Sequence, residues 1–345
     1  MKSLNVVWVT ILLLLSAALL FLADLALGSV HIPFRYLMLL LVGGDSGNEI
    51  WSNIFYHFRL PRAIAAIMVG AALGISGLQM QTLFKNPLAG PFVLGISSGA
   101  SLGVALLVLA SFSFGGMLVG TGLNSWMVVL AACIGAIIVF MIVLALSFRV
   151  RESMSLLIIG IMVASITGAA VGALQFFSNA QQIQIFLIWT LGSLGGLTWS
   201  THQVFIPVVL TGISIAFVMF KPLNGLLLGE NYAQSLGINI KRSRILIIIS
   251  TSMLAGAVTA FCGPIAFIGL AVPHITRLVI NTSDHKKLLP AVAAMGVILM
   301  LICDILSQVP GREEVLPINI VTSLVGAPVV IWIIMRKKVV KNAFS

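Results

Sequence analysis

The feature that most constrains this chain is a succession of apolar runs, each about 20 residues long, divided by short polar loops. The runs centre on residues 5–27, 63–83, 92–113, 125–147, 154–177, 200–220, 245–262, 264–280, 288–307 and 317–335. A helix of that length crosses the hydrocarbon of a bilayer, whereas the strands of a membrane barrel would be shorter and half polar. Only 8% of the residues are charged, against roughly 25% in soluble domains, too few to cover a water-facing exterior. A soluble enzyme, a nucleic-acid binder and a disordered chain are thereby excluded. The sequence predicts an all-α integral membrane protein, a polytopic bundle of about ten transmembrane helices in one domain over 1–345.

Three stretches need separate readings. Residues 245–280 form one long run broken by Gly263-Pro264, which predicts a tight reversal. Residues 182–197 contain Gly192, Gly195 and Gly196 and predict a short or re-entrant helix. The first run exceeds the 7–15 apolar residues typical of a signal peptide and is expected to stay as a first helix.

Cations set the orientation, because Lys and Arg collect in cytoplasmic loops. With an inner N-terminus and ten crossings, the inner segments are 84–91, 148–153, 221–244, 277–287 and 336–345. Of the 19 Lys and Arg, only Arg35, Arg59, Arg62 and Arg312 then fall outside. Both termini are therefore expected in the cytoplasm, and the net charge of +10 needs no nucleic acid to explain it. The outer segment 28–60 is too polar to span. Its pieces from Tyr36 and from Ile50 read as amphipathic helices at the outer interface, where aromatic residues are favoured.

Chemistry-bearing motifs are scarce. No phosphate-cradling loop, zinc-protease motif or nucleophile elbow occurs, so hydrolysis of a nucleotide is not expected in this chain. Cys133, Cys262 and Cys303 lie in apolar runs without metal spacing and read as small core residues. The five histidines are scattered over loops and span ends. Asp304 is read as the one acid within the bilayer, near the outer end of its helix and paired with a polar neighbour. Gly160, Ala164, Gly168 and Gly172 recur every fourth residue and form a small-residue stripe, either a close helix contact or the lining of a path for a bulky solute. Thr322, Ser323 and Gly326 form a second such patch.

Three ordered motifs are more specific. The first is Phe58-Arg59-Leu60-Pro61-Arg62, followed by the glycines 70, 74 and 77 and by Asn86-Pro87-Leu88-Ala89-Gly90-Pro91. The second is the inner loop from Gly229-Glu230 through Ala233 and Leu236 to Gly237. The third runs from Gly263-Pro264 to Pro273-His274 and Arg277. In this order and spacing the chain resembles, over essentially its whole length, the FecCD-type permeases, the membrane subunits of type II ATP-binding-cassette importers for iron–siderophore complexes, haem and cobalamin.

The resemblance implies a homodimer, or a pair with a close paralogue, with two ATP-binding subunits inside and an extracytoplasmic substrate-binding protein outside. ATP and magnesium would belong to the ATPase subunits, leaving this chain without catalytic residues, metal or cofactor. Arg59 and Arg62, exposed at the outer mouth, would dock acidic residues of the binding protein. Such family members carry a further arginine at the place of Gln308, which leaves Arg312 as the replacement here. Gly229, Glu230, Ala233, Leu236 and Gly237 would form the ATPase-coupling segment within the loop 221–244, with Ala233 and Leu236 on one face. Asn86, Pro87 and Leu88 would form a cytoplasmic gate. The path would follow the dimer interface, lined by the two small-residue patches, in the bacterial cytoplasmic (inner) membrane. The substrate would be a bulky metal chelate, iron–siderophore foremost. A secondary transporter or channel is the alternative, and it would need an ion or proton relay that the spans do not offer. Arg62 and Arg244 each precede a Gly/Ala-rich span, a Pro–Gly turn and another span, which suggests a weak inverted repeat.

Overall fold

The computed structural model describes residues 6–28, 30, 32–44, 47–110, 125–150, 153–308 and 314–335. The apolar runs fold as helices: α1 (Val6–Ala26), α4 (Leu60–Leu83), α5 (Ile96–Val108), α6 (Ser125–Ser147), α7 (Ser153–Phe176), α9 (Trp199–Val218), α12 (Ile240–Cys262), α13 (Ile268–Ile280), α14 (His285–Ser307) and α15 (Ile318–Met335). Between them lie α2 (Phe34–Leu41), α3 (Glu49–Ile54), α8 (Ala180–Thr190), α10 (Phe220–Leu228) and α11 (Glu230–Ser235). The two interfacial pieces are thus helical. The second is not separate, since α3 continues through a π-turn at Phe55–Arg59 into α4 and makes one 35-residue helix.

Seven helices among the described residues are long and apolar enough to span, counting α3 with α4. The ten expected apolar helices are all present, but α5 and α13, with 13 residues each, and α15 are shorter than these seven. The cause is local. Residues before α5 form a 3₁₀ turn closed by Gly95 at φ 75°. Before α13 the chain runs extended from Gly263 at φ 75° to Phe267 at φ 66°, so that helix starts late. The break at Gly263-Pro264 is therefore a reversal followed by a half-length helix.

Helix α4 is the axis of the bundle, buried over nearly its whole length. Its small residues make this possible. A Cβ added at Gly70 would strike the Gly296 carbonyl of α14, and one at Gly77 the Gly269 carbonyl of α13. Backbones that touch gain dispersion contact in lipid, where no hydrophobic drive brings helices together. Gly99 and Gly103 of α5 meet Gly135 of α6 in the same way. The peripheral α1, α6 and α7 instead turn Leu12, Leu19, Ile134, Ile138 and Ile158 outward, as lipid-facing helices do.

Contacts fix the directions. Arg62 meets Asp304 and Thr82 meets His285, so α4 and α14 are antiparallel. Helix α12 starts where Arg244 binds Glu230 and ends beside Gly192, at the Arg62 end, so it too opposes α4. Helices α4 and α12 are each followed by a Pro–Gly-bearing loop and a 13-residue helix, α5 and α13, which is the pattern of an inverted repeat.

Candidate functional sites

At the end expected to face outward, Arg59 donates from Nη1 to the Leu25 and Ala26 carbonyls at 2.8 and 3.1 Å, and from Nη2 to the Val30 carbonyl. A cation on the last carbonyls of α1 meets the negative end of that helix. Arg59 is only 8% exposed, which corrects the expectation of an exposed docking cation. The physical reason is that a buried guanidinium must satisfy its donors, and the turn after α1 supplies acceptors.

Arg62 is also engaged. Its Nε and Nη2 hold Asp304 Oδ1 at 2.9 and 2.7 Å, and Nη2 reaches Ser307 Oγ at 2.8 Å. Asp304 is fully buried, so the pairing expected for it is present. It is not the one acid at this depth, however. Asp24, in the last turns of α1, is buried as well, and Gln308 Nε2 lies 3.0 Å from Asp24 Oδ1 and 3.3 Å from Asp304 Oδ2. Gln308 therefore bridges two acids. A crevice of about 250 Å³ opens above this cluster, lined by Phe58, Arg59, Arg62, Gly195, Gln308 and Val315 among others. Arg312 lies outside the described residues.

At the opposite end, Gly229 at φ 124° and Gly237 at φ 79° bracket α11. Ala233 is fully buried, against Gly225 and Ile238, while Leu236 is 57% exposed. Their placement on one face is thus corrected, because α11 is a single turn and a half whose inner side is taken by Ala233. Leu228, Tyr232 and Leu236 are the exposed apolar residues of the segment. Glu230 binds Arg244 Nη2 at 3.2 Å, and Arg244 Nη1 donates to the Val150 carbonyl at 3.0 Å, tying α11 to α12 and to the loop before α7. Between α11 and the end of α4 lies a groove of about 580 Å³, lined by Phe84, Lys85, Met154, Leu228, Glu230 and Tyr232 among others.

Asn86-Pro87-Leu88 sits at this same end. The Asn86 side chain accepts from the Leu88 amide at 2.9 Å, and His274 Nε2 lies 2.7 Å from the Pro87 carbonyl, so α13 grips the turn. Arg277 Nη1 donates to Gln81 Oε1 at 2.7 Å, on the last turn of α4. His274 and Arg277 belong to the third sequence motif, whose spacing alone assigns them no contact.

The α7 stripe divides in two. Gly160 packs on the Val93 carbonyl and Ala164 lies near Gly95, whereas a Cβ at Gly168 or Gly172 would meet nothing within 4 Å. The outer half of the stripe is therefore an open face. In the second patch, Thr322 is buried and Gly326 packs against Phe267, so both turn into the bundle, with Ser323 half-buried beside them.

This arrangement of a Gly-rich axial helix, broken half-length helices and a short amphipathic turn can be set against known proteins. The family model described as the FecCD transport family matches residues 13–336. The chain belongs to that family. It is 38% identical over 327 residues to the hemin transport system permease protein HmuU of Yersinia pestis, covering 94% of this chain and 96% of that one. It is 37% identical over 282 residues to the vitamin B12 import system permease protein BtuC of Salmonella typhi, covering 81% and 83%. Among solved structures it is similar to an ABC transporter described as metal-chelate type, in an inward-facing conformation, with a TM-score of 0.81 at 26% identity over 96% of this chain and all of that one. As a FecCD member the chain is a multi-pass permease subunit of a type II ABC importer and is not itself the catalytic subunit.

Proposed function

We propose that this permease carries a metal-bearing tetrapyrrole, haem foremost and cobalamin next, inward across the bacterial cytoplasmic membrane. The observation that carries this reading is the 38% identity to a hemin permease over nearly the full length of both chains. The relatives compared above transport hemin and vitamin B12, and none of them favours the narrower iron–siderophore expectation. The open half of the α7 stripe supports it sterically, since small residues at Gly168 and Gly172 leave room beside the helix. Two copies of the chain, or this chain and a close paralogue, would face each other across that path.

In this reading both termini are cytoplasmic, and α11 presents Leu228, Tyr232 and Leu236 to an ATPase subunit that holds ATP and magnesium. Asn86-Pro87-Leu88 is the cytoplasmic gate. A substrate-binding protein docks an acidic side chain in the crevice above Arg62, and Arg312 serves as a further docking cation, while Arg59 holds the end of α1 rather than the partner. ATP binding shifts the populations of inward- and outward-open states through α11.

The test is uptake into proteoliposomes containing the permease, its ATPase and its binding protein, with hemin, cobalamin and two ferric siderophores supplied in parallel. ATP-dependent accumulation of hemin or cobalamin is expected. Accumulation of a ferric siderophore alone would overturn the substrate class, and accumulation without ATP would favour a secondary transporter.

A further inference from the structure

Between the coupling segment and the gate lies a polar chain, buried at His285 and Thr82, that neither role uses. His285, the first residue of α14, is fully buried. Its Nδ1 and its backbone N both lie 2.8 Å from Asn224 Oδ1, on the α10 helix that leads directly into α11. Its Nε2 lies 2.9 Å from Thr82 Oγ1, on the last turn of α4, four residues before the gate. Asn224 Nδ2 completes the chain by donating to Asp284 Oδ1 at 2.8 Å.

Donor and acceptor chemistry fixes the orientation of each group. A carboxylate only accepts, so the Asn224 amide turns its NH₂ to Asp284 and its oxygen to His285. That oxygen takes the His285 backbone N–H and leaves Nδ1 as the protonated ring nitrogen. A fully buried ring touching no carboxylate is neutral, so Nε2 is an acceptor. The Thr82 hydroxyl has one proton and two acceptors at 2.9 Å, His285 Nε2 and the Leu78 carbonyl. It can give its proton to either one, which provides two discrete arrangements at the end of α4. A second contact runs alongside, since the Lys85 ammonium lies over Gly229, 3.6 Å from where a Cβ would stand.

We propose that His285, clamped between Asn224 and Thr82, is a positioning residue that carries movement of the coupling segment to the gate-bearing end of α4. This rests on the reading of α11 as the ATPase contact and of Asn86-Pro87-Leu88 as the gate. When α10 and α11 shift, Asn224 draws the imidazole with it. The Thr82 hydroxyl then loses one acceptor and turns to Leu78, releasing the last turn of α4 from α14.

The test uses the full complex with its ATPase in vesicles, with Leu88→Cys as a reporter labelled from the cytoplasmic side by an impermeant maleimide. Leu88 is half exposed, so its thiol is reachable. The ratio of labelling rates with and without ATP reads the coupling and needs no transported substrate. Thr82→Val removes the hydroxyl at constant shape, and Thr82→Ser restores it. Thr82→Val and Asn224→Ala should each reduce the ATP-dependent ratio at least about fivefold, the scale of a coupling between sites, and Thr82→Ser should retain it. ATPase association should stay at the wild-type level in all three. A wild-type ratio in both Thr82→Val and Asn224→Ala would overturn the relay while leaving the gate reading intact. No ATP-dependent change in the unsubstituted reporter would overturn the gate reading itself, and the relay with it.

Discussion

The two ends of the bundle solve the same problem, burying polar groups, in opposite ways. At the Arg62 end the contacts are built on guanidinium groups, Arg62 on Asp304 and Arg59 on three carbonyls, with the neutral Gln308 amide across two acids. At the α11 end an ion pair, Arg244 on Glu230, ties α11 to α12, but the contacts that join α10 and α14 to the end of α4 are neutral, Thr82, His285 and Asn224, and exposed apolar residues stand beside them. A buried ion pair is costly to break, because the partner left behind is an uncompensated charge. Neutral hydrogen bonds exchange at far lower cost. The comparison assigns rigidity to the first end and movement to the second.

The strongest way to break this comparison is at Asp304. Replacing it by Ala leaves Arg62 facing a crevice without its carboxylate, and unfolding in detergent should shift by about 3–5 kcal/mol. A thermal melt within 1 °C of wild type would show that the pair is not what closes this end.

A second test separates the halves of the α7 stripe. Gly160→Leu drives a side chain into the Val93 carbonyl and should destabilise by about 1–3 kcal/mol. Gly168→Leu meets open space, so its melt should move by less than about 0.5 kcal/mol while uptake falls. Normal uptake in Gly168→Leu would remove the path from this face.

The smallest effect is at Asp284, which caps α14 by accepting from the Lys286 amide at 3.1 Å. Its removal in Asp284→Ala should cost about 1 kcal/mol. Desolvation pushes the Asp284 carboxyl up, but the Asn224 amide, the Lys286 N–H and the charge of Lys287 outweigh it and hold it below the ordinary range. A lowered folded-state value means the ionised form stabilises above the unfolded value of about 3.9 and loses this as the pH falls through the folded one. The melting gap between wild type and Asp284→Ala should therefore persist at pH 5 and close only in stronger acid. Closure by pH 5 would contradict the cap.

How much of this was legible in the chain follows from what each signal reports. Apolar run length gave the spans and the loops between them, because crossing hydrocarbon depends on length and hydropathy. It overestimated α5 and α13, whose late starts depend on positive φ at Gly95, Gly263 and Phe267, and Phe267 carries no residue-type warning of that conformation. The charge rule singled out Arg59 and Arg62 as anomalies. It could not say that Arg59 turns back onto α1, since the acceptors are backbone carbonyls that any sequence supplies. Asp24 was overlooked although it lies in the first apolar run. An acid three residues from the end of a span reads as interfacial until Gln308, 284 positions away, is seen to reach it. His285 was hidden for the same reason, as its partners on α4 and α10 are 203 and 61 residues distant.

The central claim is that one end holds the fold and the other exchanges partners, and Leu236 tests it most directly. Leu236 is exposed beside Tyr232, and its replacement by Asp removes no internal contact that the bundle needs. The measurement is the affinity of the purified ATPase subunit for Leu236→Asp and wild-type permease, with a thermal melt of each. The account predicts a melt shifted by less than about 0.5 kcal/mol together with at least about a tenfold loss of ATPase affinity. Unchanged affinity, or a melt that falls as far as that of Asp304→Ala, would contradict it.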